Sequence, residues 1–293
     1  MIGRRRMTMG MALALTGCGA RAVRAQSGFA GLPAAFAQIE AARGGRLGVA
    51  VLDTGSGQGT GYRQDERFPL ASTFKLLAAA AVLARVDAGQ DNLDRRIRFK
   101  REDLVTYSPT TGQHAGADGM TLAEIAGAAV TLSDNTAGNL LLNVLGGPAG
   151  LTAWLRQQGD AVSRLDRMET DLNEASPGDP RDTTSPAAML RHLQAVTLGD
   201  ALSPASRARL RGWMRASSTG DNCLKARLPQ GWVVEDKTGS GGNGTRNDVA
   251  LLWPPGGGAP MLVAAYLTGG ASEIAARDAV LADVGAAIAA AAS

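Results

Sequence analysis

Apolar positions along this chain change their spacing in a way that divides it into regions. Leu32, Ala35, Phe36 and Ile39 form a helical stripe over 31–43. Leu47, Val49 and Val51 then alternate, which predicts a strand over 46–52, a turn at Asp53-Thr54-Gly55-Ser56-Gly57 and a second strand over 60–70. From Ser72 onward the run Leu76-Leu77-Ala78-Ala79-Ala80-Ala81-Val82-Leu83 is apolar on every side and closes towards Gly89, the pattern of a buried helix. Residues 90–120 are polar and glycine-bearing and predict irregular surface. Thr121-Leu122-Ala123-Glu124 is a capping box opening a helix with Leu122, Ile125, Ala126 and Ala129 inward. A second helix starts after Ser133-Asp134-Asn135, buries Leu140, Leu141, Val144 and Leu145, and ends at Gly146-Gly147-Pro148. A third carries Leu151, Trp154 and Leu155 as far as Gly159.

Residues 164–186 break the pattern. They are charged, contain Pro177 and Pro180, and show little stripe, so they read as a long ordered loop of the kind that carries function. Helices resume over 185–215. Three strands follow at 232–238, 247–253 and 260–268, the last so continuously apolar that it should be central. A final helix, capped by Ser272, turns Ile274, Leu281, Val284 and Ile288 to one side. Strands at both chain ends and helices between them predict an α/β (α+β) fold. An antiparallel sheet lobe would be built from 26–70 and 216–293 and flanked by helices. An all-helical lobe, 71–215, would be inserted in it.

Composition adds a compartment. Arg4-Arg5-Arg6 precede an apolar run, Met7 to Leu15, and no acid occurs in 1–25, so this stretch reads as an export signal. The run is too short and glycine-broken for a stable membrane span. Paired arginines fit a twin-arginine route as well as an ordinary basic leader. Leu15-Thr16-Gly17-Cys18 resembles a lipoprotein box, which would lipidate Cys18. Val23-Arg24-Ala25 offers a competing cut before Gln26. The product would be periplasmic, soluble or lipid-anchored. The formal charge is +3, but five arginines lie in 1–25, so the remainder stands at −2. No basic patch interleaved with aromatics argues for nucleic acid. Only Cys18 and Cys223 are cysteines, and only His114 and His192 are histidines. Neither an internal disulfide, nor a zinc site, nor a Ser-His-Asp triad is supported. No metal or cofactor is expected.

Chemistry gathers at four places. Ser72 and Lys75 lie one helical turn apart at the start of the buried helix. There the positive helix end favours an anion, and a buried lysine needs a partner or sheds its proton. The pair can be a nucleophile with its base, or a helix cap beside a lysine. Ser133 can pass a proton to a leaving nitrogen, or cap the helix after it. Asn135 offers a donor and an acceptor, and Asp134 suits holding the turn. Glu169 and Asn173, four apart, could hold a water between them. Lys237, Thr238 and Gly239 put a cation, a hydroxyl and an open backbone at a strand end, suited to a carboxylate. An edge lysine that deters aggregation is the alternative for Lys237.

The serine–lysine, Ser-Asp-Asn and Lys-Thr-Gly elements occur in the order found in class A β-lactamases and penicillin-binding proteins. Together with Arg167-Met168-Glu169-Thr170-Asp171-Leu172-Asn173-Glu174 and the tail to Thr184, they make the chain resemble a class A serine β-lactamase from about residue 30 to its end. The resemblance implies hydrolysis of the β-lactam ring of penicillins and cephalosporins through a Ser72 acyl-enzyme. Lys75 or Glu169 would be the acylation base. Backbone N–H groups of Ser72 and Ser240 would hold the oxyanion, with Arg246 a second cation for the substrate carboxylate and Tyr107 a wall. An Arg167–Asp182 pair would close the loop. The protein should act as a monomer, and Ser240 hints at cephalosporins. The alternatives are a cell-wall DD-peptidase, which lacks a loop glutamate with its water, and a non-hydrolysing β-lactam sensor.

Overall fold

The computed structural model describes residues 28–292. The export signal and the Cys18 and Gln26 cut sites lie outside them. In chain order the elements are α1 (Leu32–Arg43), β1 (Arg46–Asp53), β2 (Gly59–Tyr62), β3 (Phe68–Pro69), α2 (Phe74–Asp87), β4 (Arg96–Ile97), α3 (Thr111–His114), β5 (Met120–Thr121), α4 (Leu122–Thr131), α5 (Asn135–Leu145) and α6 (Gly147–Gln157). Then come β6 (Thr183–Thr184), α7 (Pro186–Thr197), α8 (Pro204–Arg215), β7 (Val233–Gly241), β8 (Thr245–Trp253), β9 (Met261–Thr268) and α9 (Ile274–Ala291).

Five strands form one antiparallel sheet in the order β2-β1-β9-β8-β7. The last strand in the chain therefore sits at the centre, as its unbroken apolar run requires, and all eight of its residues are buried. Alternation decides which face each residue serves. Leu262, Ala264 and Tyr266 face α7 and belong to the core that also holds α2, α4 and α5, whereas Met261, Val263, Ala265 and Leu267 belong to the core with α1 and α9. Between the chain ends lies the helical region. Its axis is α2, with every residue from Phe74 to Leu83 buried. A helix enclosed on all sides needs no polar face, which is why its sequence has none there except Lys75.

Four local expectations are corrected. The second strand, expected over 60–70, is interrupted: Gly59–Tyr62 pairs with β1, while Phe68–Pro69 leaves the sheet to pair with β6. That ribbon clips the long loop's end to the approach of α2. The Ser72 helix starts later than expected, because Ala71–Thr73 is a 3-10 turn. α9 is preceded by Glu273, not Ser272, and has no side-chain cap. Asp134, not Ser133, caps α5: its carboxylate accepts from Ala137 N, Thr110 N, Thr111 N and Thr111 Oγ1.

Candidate active site

The chain leaves the β3–β6 ribbon with Leu70 N donating to Asp182 O at 2.8 Å. Ala71 takes a positive φ of 42°, and Thr73 Oγ1 donates back to Leu70 O. This tight entry holds Ser72, almost fully buried, at the mouth of α2. One turn later Lys75 is fully buried. α5 approaches it closely because residue 138 is glycine: a Cβ there would stand 2.8 Å from Lys75 Cε. Lys75 Nζ lies 3.0 Å from Ser72 Oγ, 2.8 Å from Ser133 O, 2.5 Å from Asn135 Oδ1 and 2.9 Å from Glu169 Oε1. An ammonium has three hydrogens for these four oxygens, so its proton distribution is contested. Burial lowers the Lys75 pKa, and the charges of Glu169 and Asp134 oppose that shift.

Ser133 joins two lysines. Its φ of 59° brings its hydroxyl and carbonyl to the same side, with the hydroxyl 3.5 Å from Lys75 Nζ and 3.0 Å from Lys237 Nζ. Lys237, also fully buried, donates its second bond to Thr238 O at 2.8 Å. Burial, reinforced by the charge of Lys75, brings Lys237 down to about 7.

The long loop delivers Glu169 to the opposite side of Lys75. Its geometry differs from the single helical turn expected: a 3-10 turn, Asp171–Asn173, follows Glu169. Asn173 Nδ2 still donates to Glu169 Oε2. Glu169 Oε1 and Asn173 Oδ1 are buried acceptors without an aligned hydrogen bond. Arg167 Nε donates to Asp182 Oδ2 at 2.6 Å, and the other oxygen of Asp182 accepts from the N–H groups of Asp166 and Arg167. Asp182 is therefore a hub for the loop's stem as well as an ion-pair partner. Arg167 also binds Glu174.

These groups surround a cavity of about 290 Å³ lined by Ser72, Tyr107, Ser133, Asn135, Asn173, Thr219, Thr238, Gly239, Ser240 and Arg246. Lys75, Glu169 and Lys237 lie behind its wall. Edge strand β7 closes one side. Gly239 fits because a Cβ would press on Leu70 O at 3.1 Å. Tyr107 is half exposed on the rim, and its carbonyl accepts from Asn135 N. Asn135 Nδ2 donates to Thr106 O at 2.7 Å, which leaves its second amide hydrogen for a ligand. Arg246 reaches the cavity but is not a free cation: Nε donates to Asp278 Oδ1 at 2.6 Å and a terminal nitrogen to Ser240 Oγ at 2.9 Å. Of the residues expected in the site, the proposed catalytic and substrate-binding ones thus line this cavity or lie just behind it, and Arg167 and Asp182 sit at the stem of the loop. The arrangement can generate a serine nucleophile, supply a proton at Ser133 and attract an anion to β7.

The family model described as "Beta-lactamase enzyme family" matches residues 32–292. This chain belongs to that family. Beta-lactamase L2 of Stenotrophomonas maltophilia is 52% identical over 250 residues, which span 85% of this chain and 82% of that protein. Beta-lactamase FAR-1 of Nocardia farcinica is 51% identical over 231 residues, 79% of this chain and 73% of its own length. Among solved structures, the ancestral (GNCA) class A β-lactamase shares 61% identity at a TM-score of 0.86, covering 88% of this chain and 98% of its own. A last-common-ancestor (GNCA4) class A enzyme gives 60% and 0.87, with coverage of 89% and 99%. The chain is a class A β-lactamase in sequence and in fold.

Three participants in the β-lactamase site escaped the sequence reading. Asn139 grips the Glu169 backbone from both sides, donating from Nδ2 to Glu169 O at 3.0 Å and accepting from Glu169 N at 2.8 Å. A signal existed: Asn139 stands four residues after Asn135, one turn further along the same helix. Thr219 lines the cavity, with Oγ1 2.6 Å from Thr238 Oγ1. Asp278 anchors Arg246. Neither of these two has a local sequence signal, because each is placed by a distant segment.

Proposed function

We propose that Ser72 opens the β-lactam ring as nucleophile and that Glu169, through a water, releases the resulting acyl-enzyme. The chain is a hydrolase of β-lactams, an activity that confers resistance to these antibiotics. The assignment of steps to residues rests on one observation: Lys75 Nζ lies within 3.0 Å of both Ser72 Oγ and Glu169 Oε1. A proton leaving Ser72 therefore has a buried path to nitrogen or carboxylate. The oxyanion would meet the N–H groups of Ser72 and Ser240, the latter on an edge strand with its outer side unpaired. Ser133, between two lysines, gives its proton to the leaving nitrogen. Lys237 and Thr238 hold the substrate carboxylate, with Arg246 reinforcing their field. Asn135 binds the substrate's side-chain amide, and Tyr107 forms a wall.

Deacylation needs a water held and deprotonated on one face of the ester. Glu169 Oε1 and Asn173 Oδ1 are two buried acceptors suited to the two hydrogens of one water. Arg167 and Asp182 keep that loop in shape. Neither a DD-peptidase nor a sensor is favoured, since a loop glutamate against the Ser–Lys pair serves hydrolysis. The test is turnover of a chromogenic cephalosporin by purified protein. Many turnovers per site are expected, with none for Ser72→Ala. Stoichiometric acylation without turnover would contradict the reading and favour a sensor.

Residues 1–25 are proposed to direct export to the periplasm, with Cys18 lipidated or Gln26 as the first mature residue. The mature enzyme is proposed to work as a monomer, with a helical lobe (about 71–215) set into a sheet lobe. Ser240, its hydroxyl held by Arg246, favours cephalosporins among its substrates. Among the described residues, no helix is long and apolar enough to cross a membrane.

A further inference from the structure

A line of hydroxyls runs from the cavity wall to a buried carboxyl. Thr238 Oγ1 is 2.6 Å from Thr219 Oγ1, Thr219 Oγ1 is 3.2 Å from Ser217 Oγ, and Ser217 Oγ donates to Asp236 Oδ2 at 3.2 Å. Thr238 and Thr219 line the cavity, while Ser217 and Asp236 are buried behind them. Each hydroxyl carries one hydrogen. In the free enzyme three hydrogens serve three links, all pointing inward: Thr238 to Thr219, Thr219 to Ser217, Ser217 to ionised Asp236. Thr238 then turns lone pairs towards the cavity, which is the wrong polarity for an anion.

A substrate carboxylate at Thr238 adds a fourth link but no hydrogen. With an acceptor at both ends, one link must stand empty. A single added proton, on Asp236, fills all four once the hydroxyls rotate to point outward. We infer that Asp236 is a positioning residue that takes up a proton when a carboxylate-bearing ligand binds, its state transmitted through Ser217 and Thr219 to the Thr238 hydroxyl. The proton comes from solvent and forms Asp236 Oδ2–H. No other bond changes. This inference rests on the proposed carboxylate site at Lys237 and Thr238.

The surroundings make Asp236 ready to accept it. Facing it are Lys237 on its own strand, Asp248 on β8, itself beside Arg246 and its partner Asp278, and Asp221 and Lys225 from the segment before β7. Asp248 is fully buried, and its Oδ1 has no hydrogen-bond partner. Burial, opposed by Lys237, Ser217 and Lys225, raises the Asp236 carboxyl to about 6. A ligand that favours its acid form lifts it further. Carboxylate binding is therefore strengthened below that value and lost as pH rises through the higher, ligand-bound one.

Lys237 would also gain a proton beside an anion, so the test must separate the two. Benzylpenicillin is titrated calorimetrically into Ser72→Ala, which cannot be acylated, at pH 7 in buffers of different ionisation enthalpy. Proton uptake is expected. Thr219→Val, in the same background, cuts the hydroxyl line yet spares Asp236 and Lys237. It should lower the uptake by roughly half a proton or more. Asp236→Asn should lower it equally. If that variant does not fold, Thr219→Val carries the test by itself. Uptake unchanged in Thr219→Val would assign all of it to Lys237 and overturn the inference. Penicillin methyl ester separates the underlying reading: if it bound as tightly as the acid, the carboxylate site would be wrong irrespective of the relay.

Discussion

Lys75 and Lys237 are both fully buried and both reach the Ser133 hydroxyl, yet their surroundings differ in a way that suits the opposite duties proposed for them. Lys75 has a carboxylate, Glu169, at 2.9 Å, together with the serine it must serve. Lys237 has a backbone carbonyl and a hydroxyl in direct contact but no ion-pair partner among the described residues, and it lies just behind the cavity wall. Burying a cation costs several kcal/mol unless its charge is answered. Lys75 is answered from within the protein and can exchange a proton there. Lys237 is left for a ligand to answer. Under the proposed mechanism, identical side chains at similar depth thus become a proton handler and an anion binder through their partners.

The largest test removes the handler. Lys75→Ala takes away the ammonium beside Ser72 and strands Glu169, so acylation should fall by about 10³-fold or more, measured as the rate of penicillin adduct formation. Loss in kcat/KM of under tenfold would mean that Glu169 alone activates Ser72. Removing the binder should act elsewhere. Lys237→Ala should cost about 2–4 kcal/mol in kcat/KM for a carboxylated substrate and much less for its ester. An equal loss on both would place Lys237 with the chemistry rather than with binding.

The same contrast has a pH form. The free enzyme holds Lys237 at about 7, and an anion raises that value in the complex. The attraction is therefore present below 7 and is lost as pH climbs through the bound value. KM for a carboxylated β-lactam should rise on the alkaline side, and Lys237→Arg, charged throughout, should flatten that rise. A rise unaltered by Lys237→Arg would point to another titrating group.

Smaller effects belong to the loop that brings Glu169 to Lys75. Asp182→Ala loses Arg167 and two backbone N–H groups and should cost about 2–3 kcal/mol in a denaturant melt. Arg167→Ala, whose partner keeps those N–H bonds, should cost about 1–2 kcal/mol. The double variant should be less than additive. Full additivity would deny the coupling. Exhaustive chelation should leave activity unchanged, and restoration of a lost rate by zinc would overturn the serine mechanism.

Much of this was legible in the sequence, because local rules governed it. The unbroken apolar run at 260–268 announced the central strand, and the all-apolar helix after Ser72 announced the buried axis. Ser72, Lys75, Ser133 and Lys237 were readable as motifs. What stayed hidden was set by partners distant in sequence. The 60–70 strand breaks because Phe68–Pro69 finds β6, more than a hundred residues away. The resemblance makes Arg246 a second cation for the substrate, but its pairing with Asp278 has no local sequence signal. The two stem N–H bonds made Asp182 more than half of a charge pair.

Under the proposed mechanism, acylation and release are done by different groups around Lys75, with Glu169 and Asn173 needed for release. Intact-protein mass spectrometry after mixing with a limited amount of benzylpenicillin tests it. Wild type should return to its free mass once substrate is consumed. Glu169→Ala should remain heavier by one penicillin, and Ser72→Ala should never gain that mass. If Glu169→Ala returned to its free mass as fast as wild type, the loop carboxylate would not be the deacylating base.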